Sequence, residues 1–312
     1  MISRRELLRN GSLLGLFGSK LGIDVFEKSE NKFKKRVLRF AHVTDVHLEP
    51  EMNAPAGFAK CLHHLQLQKS QPSFIMSGGD SIFDALKQPK DRVETQWKIW
   101  RSILQQENSL PIEYCIGNHD CWGFGQKDDP LYGKKYALEK MQLSQPYRSF
   151  DKAGWHFIVL DSIQPKQDNT WYTCMLDDVQ FDWLQKDLAN TPSATPVIVV
   201  SHVPIMSAAT VVVDNKMKGE QGYVLGLSSM HTDSPQILEV FDKYSNIKLC
   251  LSGHIHLSEK IVYNGITYIS NGAVSGNWWK GMRYRTDNGY ALINLYDDGS
   301  FDNEYIPYGW KM

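Results

Sequence analysis

The sequence predicts one α/β domain of layered strands and helices, closed by antiparallel strands at its C-terminal end. Three observations carry this. From residue 36 onward, short β-branched apolar runs alternate with segments of helical periodicity. The last fifty residues instead hold strand-like runs separated by tight turns. No internal repeat, low-complexity tract or break in composition divides residues 35–312, so a single domain accounts for them. The 312-residue chain is 42% hydrophobic, enough for a large core.

The elements follow in order. "RVLRFAHVTDVH" is β-rich and ends in polar residues. "FAKCLHHLQLQKS" sets Phe58, Cys61, Leu62 and Leu65 at helical spacing, which leaves His63 and His64 on the helix surface. "PSFIMSGGD" is a short strand stopped by glycines, "DRVETQWKIWRSILQQ" a second amphipathic helix, and "IEYCIGNHD" a third strand that breaks at a turn. A long aromatic connection runs to residue 150. "GWHFIVLDS" is the next strand, and "LDDVQFDWLQKDLAN" a helix with Val179, Trp183, Leu184 and Leu188 on one stripe. "TPVIVVSHVP" ends at His202, and "KLCLSGHIH" follows the helix "QILEVFDKYSNI". Two antiparallel pairs finish the chain, one of them joined at the "DDGS" turn. Residues 206–235 interrupt the alternation and read equally as a lid or as a surface loop.

Composition excludes several classes. A net charge of −1 offers no basic field, so nucleic acid is not an expected partner. Five scattered cysteines without CxxC spacing supply neither a disulfide framework nor a thiolate zinc site. Residues 1–34 stand apart. "MISRRELLRNGSLLGLFGSKLG" has paired arginines and a short, glycine-broken apolar stretch, too short for a stable membrane anchor. It resembles a twin-arginine export signal, and export to the periplasm is the expectation. A basic amphipathic helix on a cytoplasmic protein is the alternative.

The chemistry collects where the strands end: Asp45 and His47, then Asp80, then Asn118 and His119, then His202, then His254 and His256. In α/β sheets functional groups gather outside the carboxyl ends of strands, where loops converge. One histidine at a strand end is commonly structural. Five successive motifs of metal-ligand side chains are not explained that way. Imidazole with carboxylate and amide oxygen suits Zn, Mn and Fe, and there are groups enough for two ions. Two aspartates against two such cations leave a positive site, which draws in phosphate and acidifies a bound water.

The ordered set D-x-H, G-D, G-N-H-D, H and G-H-x-H resembles the calcineurin-like metallophosphoesterase superfamily over roughly residues 36–275. That resemblance implies a four-layer fold, a two-sheet β-sandwich flanked by helices. It implies that Asp45, His47 and His256 hold one metal ion, that Asn118, His202 and His254 hold another, and that Asp80 bridges them. His119 is then the catalytic residue that protonates the leaving oxygen or stabilises the phosphoryl group. "GNHD" together with "HFIVLDS" and the helix after it is most similar to the bacterial cyclic-nucleotide and phosphodiester hydrolases. The implied substrate is therefore a small-molecule phosphodiester, of cyclic-nucleotide or glycerophosphodiester type. A monoesterase or nucleotidase would use the same centre. A DNA nuclease fits the charge poorly, and a non-catalytic scaffold would have lost ligands that are all present here.

Other residues have plainer readings. Asp120 and Asp84 are expected to hydrogen-bond behind the ligands, Asp161 to cap a loop, His42 to lie in the core and His156 to be structural. His231 has no evident partner. Trp122, Phe124, Trp278 and Trp279 either wall a substrate pocket for a base or lipid group or simply pack.

Overall fold

A computed structural model describes residues 34–165, 172–213 and 225–311. The arginine-paired segment and the middle of the 206–235 insertion lie outside the described residues. Period-two alternation builds the layers. In β1 (Arg36–Val43) Leu38 and Phe40 face one way, Ala41 and Val43 the other. Strand β1 pairs in parallel with β2 (Ile75–Ser77), and β2 with β3 (Ile112–Tyr114). A second sheet is centred on β5 (Trp155–Leu160), β8 (Val197–Ser201) and β9 (Ile247–Ser252), also parallel. Its residues Phe157, Val159, Ile198, Val200, Leu249 and Leu251 meet Leu38, Phe40 and Phe74 in the filling between the sheets. Phe40 stacks on Phe74 at 5.1 Å and meets Phe157 edge-on at 5.6 Å.

The opposite faces take helices. Helices α1 (Ala54–Gln66) and α2 (Lys90–Glu107) cover the first sheet, and Phe58, Cys61, Leu62 and Leu65 are buried there. Phe58 stacks on Trp100 at 4.9 Å, and His64 sits on the α1 flank with Nδ1 2.9 Å from Tyr290 Oη. A short helix α3 (Lys135–Met141) and strand β4 (Arg148–Lys152) lie inside the stretch that reads as plain connection, and β4 pairs antiparallel with β5. A two-strand ribbon of β6 (Ile163–Pro165) and β7 (Tyr172–Cys174) precedes α4 (Asp178–Asn190). Leu184 and Leu188 of α4 pack on the second sheet with Val197 and Val199. Val179 does not join them. It is 71% exposed, because Asp177 caps the helix and puts Val179 in the first turn, while Gln180 takes the buried position. The 206–235 insertion holds one turn of helix, α5 (Thr210–Val213), and leads into α6 (Ser234–Phe241), which also packs on the second sheet.

The C-terminal strands divide between the sheets. Strands β10 (Glu259–Tyr263) and β11 (Ile266–Ser270) form a hairpin, with β11 parallel to β9. Strands β12 (Gly289–Tyr296) and β13 (Phe301–Pro307) form another, with β12 antiparallel to β1. The orders are β13-β12-β1-β2-β3 and β10-β11-β9-β8-β5-β4. Helix, sheet, sheet and helix make four layers, the architecture the resemblance implies. Among the described residues no helix is long and apolar enough to cross a membrane, and the five cysteines are buried and form no disulfide.

Candidate metal centre

The parallel strands β1, β2, β3, β8 and β9 all end at one edge, and the loops that leave them are tied together. Asp45 N donates to Gly79 O at 3.0 Å, His47 N to Asp80 O at 3.0 Å and Gly253 N to His202 O at 3.0 Å. Five of the eight residues singled out from the sequence hold left-handed backbone: Asp45 (φ 55°), His47 (47°), Asp80 (54°), His254 (70°) and His256 (56°). None is glycine, and such a conformation costs about 1–3 kcal/mol per residue. That concentration of strain persists only where surrounding contacts over-determine it. Two glycines permit the close approach. A Cβ on Gly117 would lie 2.1 Å from Asp80 Oδ1, and one on Gly253 would lie 2.2 Å from Asp45 Oδ2.

The side-chain donors converge in two sets. In the first, His256 Nε2 is 3.0 Å from His47 Nε2 and 3.3 Å from Asp45 Oδ1. In the second, His202 Nε2 is 3.2 Å from Asp80 Oδ2, 3.2 Å from Asn118 Oδ1 and 3.3 Å from His254 Nδ1. Asp80 Oδ2 also lies 3.6 Å from His47 Nε2, so one carboxylate oxygen reaches both sets.

The far side of each ring decides what its near side presents. His202 Nδ1 meets Gly78 O at 2.8 Å, His256 Nδ1 meets Gly276 O at 2.7 Å, and His254 Nε2 meets Ser228 O at 2.7 Å. A carbonyl only accepts, so the proton sits on that nitrogen and the other turns a lone pair inward. The inward atoms are then imidazole, carboxylate and amide lone pairs about 3 Å apart, which repel unless positive charge lies among them. That donor chemistry fits two borderline divalent or trivalent ions.

The same crowding acts on protonation, where a proton supplies the positive charge in place of an ion. Burial works against charge on His202, but the adjoining Asp80 carboxylate outweighs it and pushes His202 up to about 9. Burial lowers His254 to about 4 and holds His47 well below the ordinary imidazole range. Burial would raise Asp45 and Asp80 too, yet the imidazoles around them keep both carboxyls below the usual range.

Asp120 stands behind the two donor sets. Its Oδ2 accepts from Asp80 N and Gly117 N at 2.9 Å each, and its Oδ1 from Ser81 N at 2.8 Å and Ile82 N at 3.4 Å. It thus pins the β2 and β3 exits to each other. Burial, then the charge of Asp80, push its carboxyl up to about 7 against the pull of these amides.

His119 differs from the other imidazoles. Its backbone N–H donates to Asp80 Oδ1 at 2.8 Å, but its side chain is 22% exposed where those of His47 and His202 are wholly buried. Nδ1 lies 3.5 Å from Asp84 Oδ1. Burial opposes its protonation, yet Asp80 and Asp84 outweigh that and raise it above the ordinary range. It opens on a cleft of about 570 Å³ bounded by Glu49, Glu51, Met52, Phe83, Asp84, Trp278 and Lys280. Trp278 lies over the first set, with its ring centroid 3.8 Å from His47 and 5.4 Å from His256.

Of the four aromatic residues weighed from the sequence, Trp278 is the one at this cleft. Trp279 is fully buried, its indole N–H on His47 O at 3.0 Å. Trp122 packs on Tyr136 and donates to Gln88 O at 3.1 Å, and Phe124 is 61% exposed away from the lining. His42 is core, as read. Asp161 caps Ile163 N at 3.1 Å and also accepts from Lys134 Nζ. His156 sits between Asp151 and Asp187 at 2.7 and 2.9 Å. His231 does have partners, Ser201 Oγ at 2.9 Å and Asp233 Oδ1 at 3.0 Å, which the sequence separation from Ser201 conceals. Glu49, Glu51, Phe83 and Lys280 were not anticipated. Glu49 and Glu51 had one signal, their place just after the D-x-H motif.

Comparison with known proteins bears on this centre. The calcineurin-like phosphoesterase profile matches residues 38–258. A 3′,5′-cyclic-nucleotide phosphodiesterase of Nostoc sp. is 22% identical over 296 residues, spanning 88% of this chain and 95% of that one. The 3′,5′-cyclic adenosine monophosphate phosphodiesterase CpdA of Haemophilus influenzae is 22% identical over 288 residues, spanning 87% and 90%. A dimetal phosphatase from Danio rerio shares the fold, with a TM-score of 0.61 at 14% identity over 88% of this chain and 100% of that one. The profile spans every strand end that contributes to the centre, and the chain belongs to the calcineurin-like phosphoesterase family, whose members are metal-dependent hydrolases of phosphate esters.

Proposed function

We propose that the protein hydrolyses phosphodiesters, of the cyclic-nucleotide type, at a binuclear centre. Asp45, His47 and His256 would hold one ion, Asn118, His202 and His254 the other, with Asp80 shared. The observation that carries this reading is the convergence of lone pairs into two sets that share Asp80 Oδ2. When bound, the ions (Mn, Fe or Zn on this donor set) supply positive charge for the phosphoryl oxygens and acidify the attacking water. His119 carries the remaining chemistry. Its raised protonation and its exposure to the cleft suit it to give a proton to the departing oxygen. Asp80 and then Asp84 favour the charged form of that imidazole, and Asp120 keeps the loops that carry the donor sets in register.

The diester reading draws on the cleft and on the relatives. A diester has an organic group on both sides of phosphorus, and the space beside His119 can take one of them against Trp278. The Nostoc and Haemophilus relatives are named for 3′,5′-cyclic nucleotides. The paired arginines Arg4 and Arg5 support export in a folded, metal-loaded state, which a reporter fused after residue 34 and its Arg4→Lys/Arg5→Lys variant would test.

The deciding experiment compares bis-p-nitrophenyl phosphate with p-nitrophenyl phosphate, using protein stripped of metal and reloaded with Mn²⁺. Diester turnover that requires metal and is lost in Asn118→Ala is the expected result, followed by turnover of 3′,5′-cyclic AMP. Turnover of the monoester alone would make the protein a phosphomonoesterase on the same centre.

A further inference from the structure

The two donor sets are braced by different stretches of chain. Around the first, the connection from β11 to β12 does the work. Gly276 O holds His256 Nδ1 at 2.7 Å, Ser275 Oγ donates to Asp45 O at 2.7 Å, and Trp279 Nε1 donates to His47 O at 3.0 Å. Around the second, Gly78 O braces His202, and the limb that returns from the insertion into α6 braces His254. The limb's Ser228 O holds His254 Nε2 at 2.7 Å.

Buried side chains anchor that limb. His231 Nδ1 is 3.0 Å from Asp233 Oδ1, and His231 Nε2 is 2.9 Å from the hydroxyl of Ser201, the residue before His202. Asp233 Oδ2 accepts from Leu176 N at 2.8 Å, and His231 N donates to Pro204 O at 3.0 Å. Ser201, His231 and Asp233 have the composition of a hydrolytic triad, but they cannot act as one. Ser201 is buried, its hydroxyl lies 2.8 Å from Val203 O, and the cavity beside it is about 10 Å³, no more than a water occupies.

We propose instead that His231 is a positioning residue for the second metal position. It seats the limb whose Ser228 carbonyl orients His254, and it steadies the strand end that presents His202. The affinity of the second position therefore depends on how the insertion's return limb is seated, and the affinity of the first does not. This inference rests on the ligand assignment proposed above.

The test uses full-length protein, stripped by chelation and titrated with Mn²⁺. Bound ions per chain are counted after desalting, and electron paramagnetic resonance separates a coupled pair from an isolated Mn²⁺ with its six-line spectrum. Wild type should bind two ions and show coupling. His231→Ala should keep the first ion within about twofold and bind the second about 10–100-fold more weakly, the usual cost of losing a group behind a ligand. At one ion per chain the isolated spectrum replaces the coupled one. Ser201→Ala removes a single buried oxygen and serves if His231→Ala does not fold. It should weaken the second ion by roughly 3–10-fold, the worth of one hydrogen bond. Failure of the wild type to bind two ions would overturn the ligand assignment itself. Two ions in wild type with unchanged affinities in the folded variants would overturn the role of His231. Equal weakening of both ions would do so too, since it marks general loosening.

Discussion

Replacing Asp120 by asparagine should loosen the centre without touching a member of either donor set. The two oxygens of Asp120 accept from four buried backbone amides, Asp80 and Gly117 on one, Ser81 and Ile82 on the other. An asparagine must turn an NH₂ toward one of these pairs. Its least costly orientation faces Ser81 and Ile82, because the Ile82 contact is already long at 3.4 Å. Even so, one strong bond to a charged group disappears, about 1.5–3 kcal/mol, and a buried donor is left facing donors, about 1–3 kcal/mol. Together that is about 2.5–6 kcal/mol, a large part of the 5–15 kcal/mol typical of a whole domain. At about 2–4 °C per kcal/mol for a chain of somewhat smaller size, the melting temperature should fall by roughly 5–24 °C. The assay is thermal unfolding of metal-stripped wild type and Asp120→Asn by circular dichroism at pH 7.5. Mn²⁺ affinity is then measured below the lower melting point, where it should fall about 10–100-fold. A shift under 3 °C with unchanged metal affinity would refute the idea that Asp120 holds the β2 and β3 exits together.

Three further outcomes follow from the geometry. Trp278→Ala should raise KM for a cyclic nucleotide by roughly 5–100-fold, the worth of one stacked base, while kcat for bis-p-nitrophenyl phosphate moves less; equal loss on both would show that Trp278 mainly seats His47. His119→Asn should lower kcat about 10²–10⁴-fold for a diester with an alcohol leaving group and far less for p-nitrophenolate, which departs without help; an equal loss on both would remove the proton-donor role. His156 is raised chiefly by its hydrogen bond to Asp187, with Asp151 adding to it. A histidine raised in the fold stabilises fully below its unfolded value, about 6.5, and loses that contribution as pH rises through the folded value. Melting temperatures from pH 6 to 9 should therefore fall more steeply for wild type than for Asp187→Asn, and parallel curves would sink the assignment.

The groups legible in the sequence are those whose side chains converge in the two donor sets. Asp45, His47, Asp80, Asn118, His202, His254 and His256 each follow an apolar run, so strand pattern and residue type together place them. Trp278 and Trp279 show where that reasoning stops. They are neighbours, both in left-handed backbone (φ 55° and 64°), yet one lies over the imidazoles and the other packs inward against Trp310. An irregular loop has no period, so nothing in the order of residues assigns their faces. Val179 fails for a related reason, since a stripe drawn by spacing cannot see which residue the Asp177 cap makes the first turn.

The deeper gap is that what orients the converging imidazoles is mostly backbone. Gly78, Gly276 and Ser228 act through carbonyl oxygens, a group every residue has, so no residue type marks them. Yet they decide the tautomers, and the tautomers decide whether lone pairs or protons fill the centre. The motifs G-N-H-D and G-H-x-H therefore mark a donor set without determining how strongly it would hold an ion. For the second position that strength is drawn in part from residues 225–235, a stretch lying between two motifs rather than in either. Relatives that keep every ligand but differ in this limb should keep the first metal position and diverge in the second, and metal titration of such a pair is the measurement that would show it.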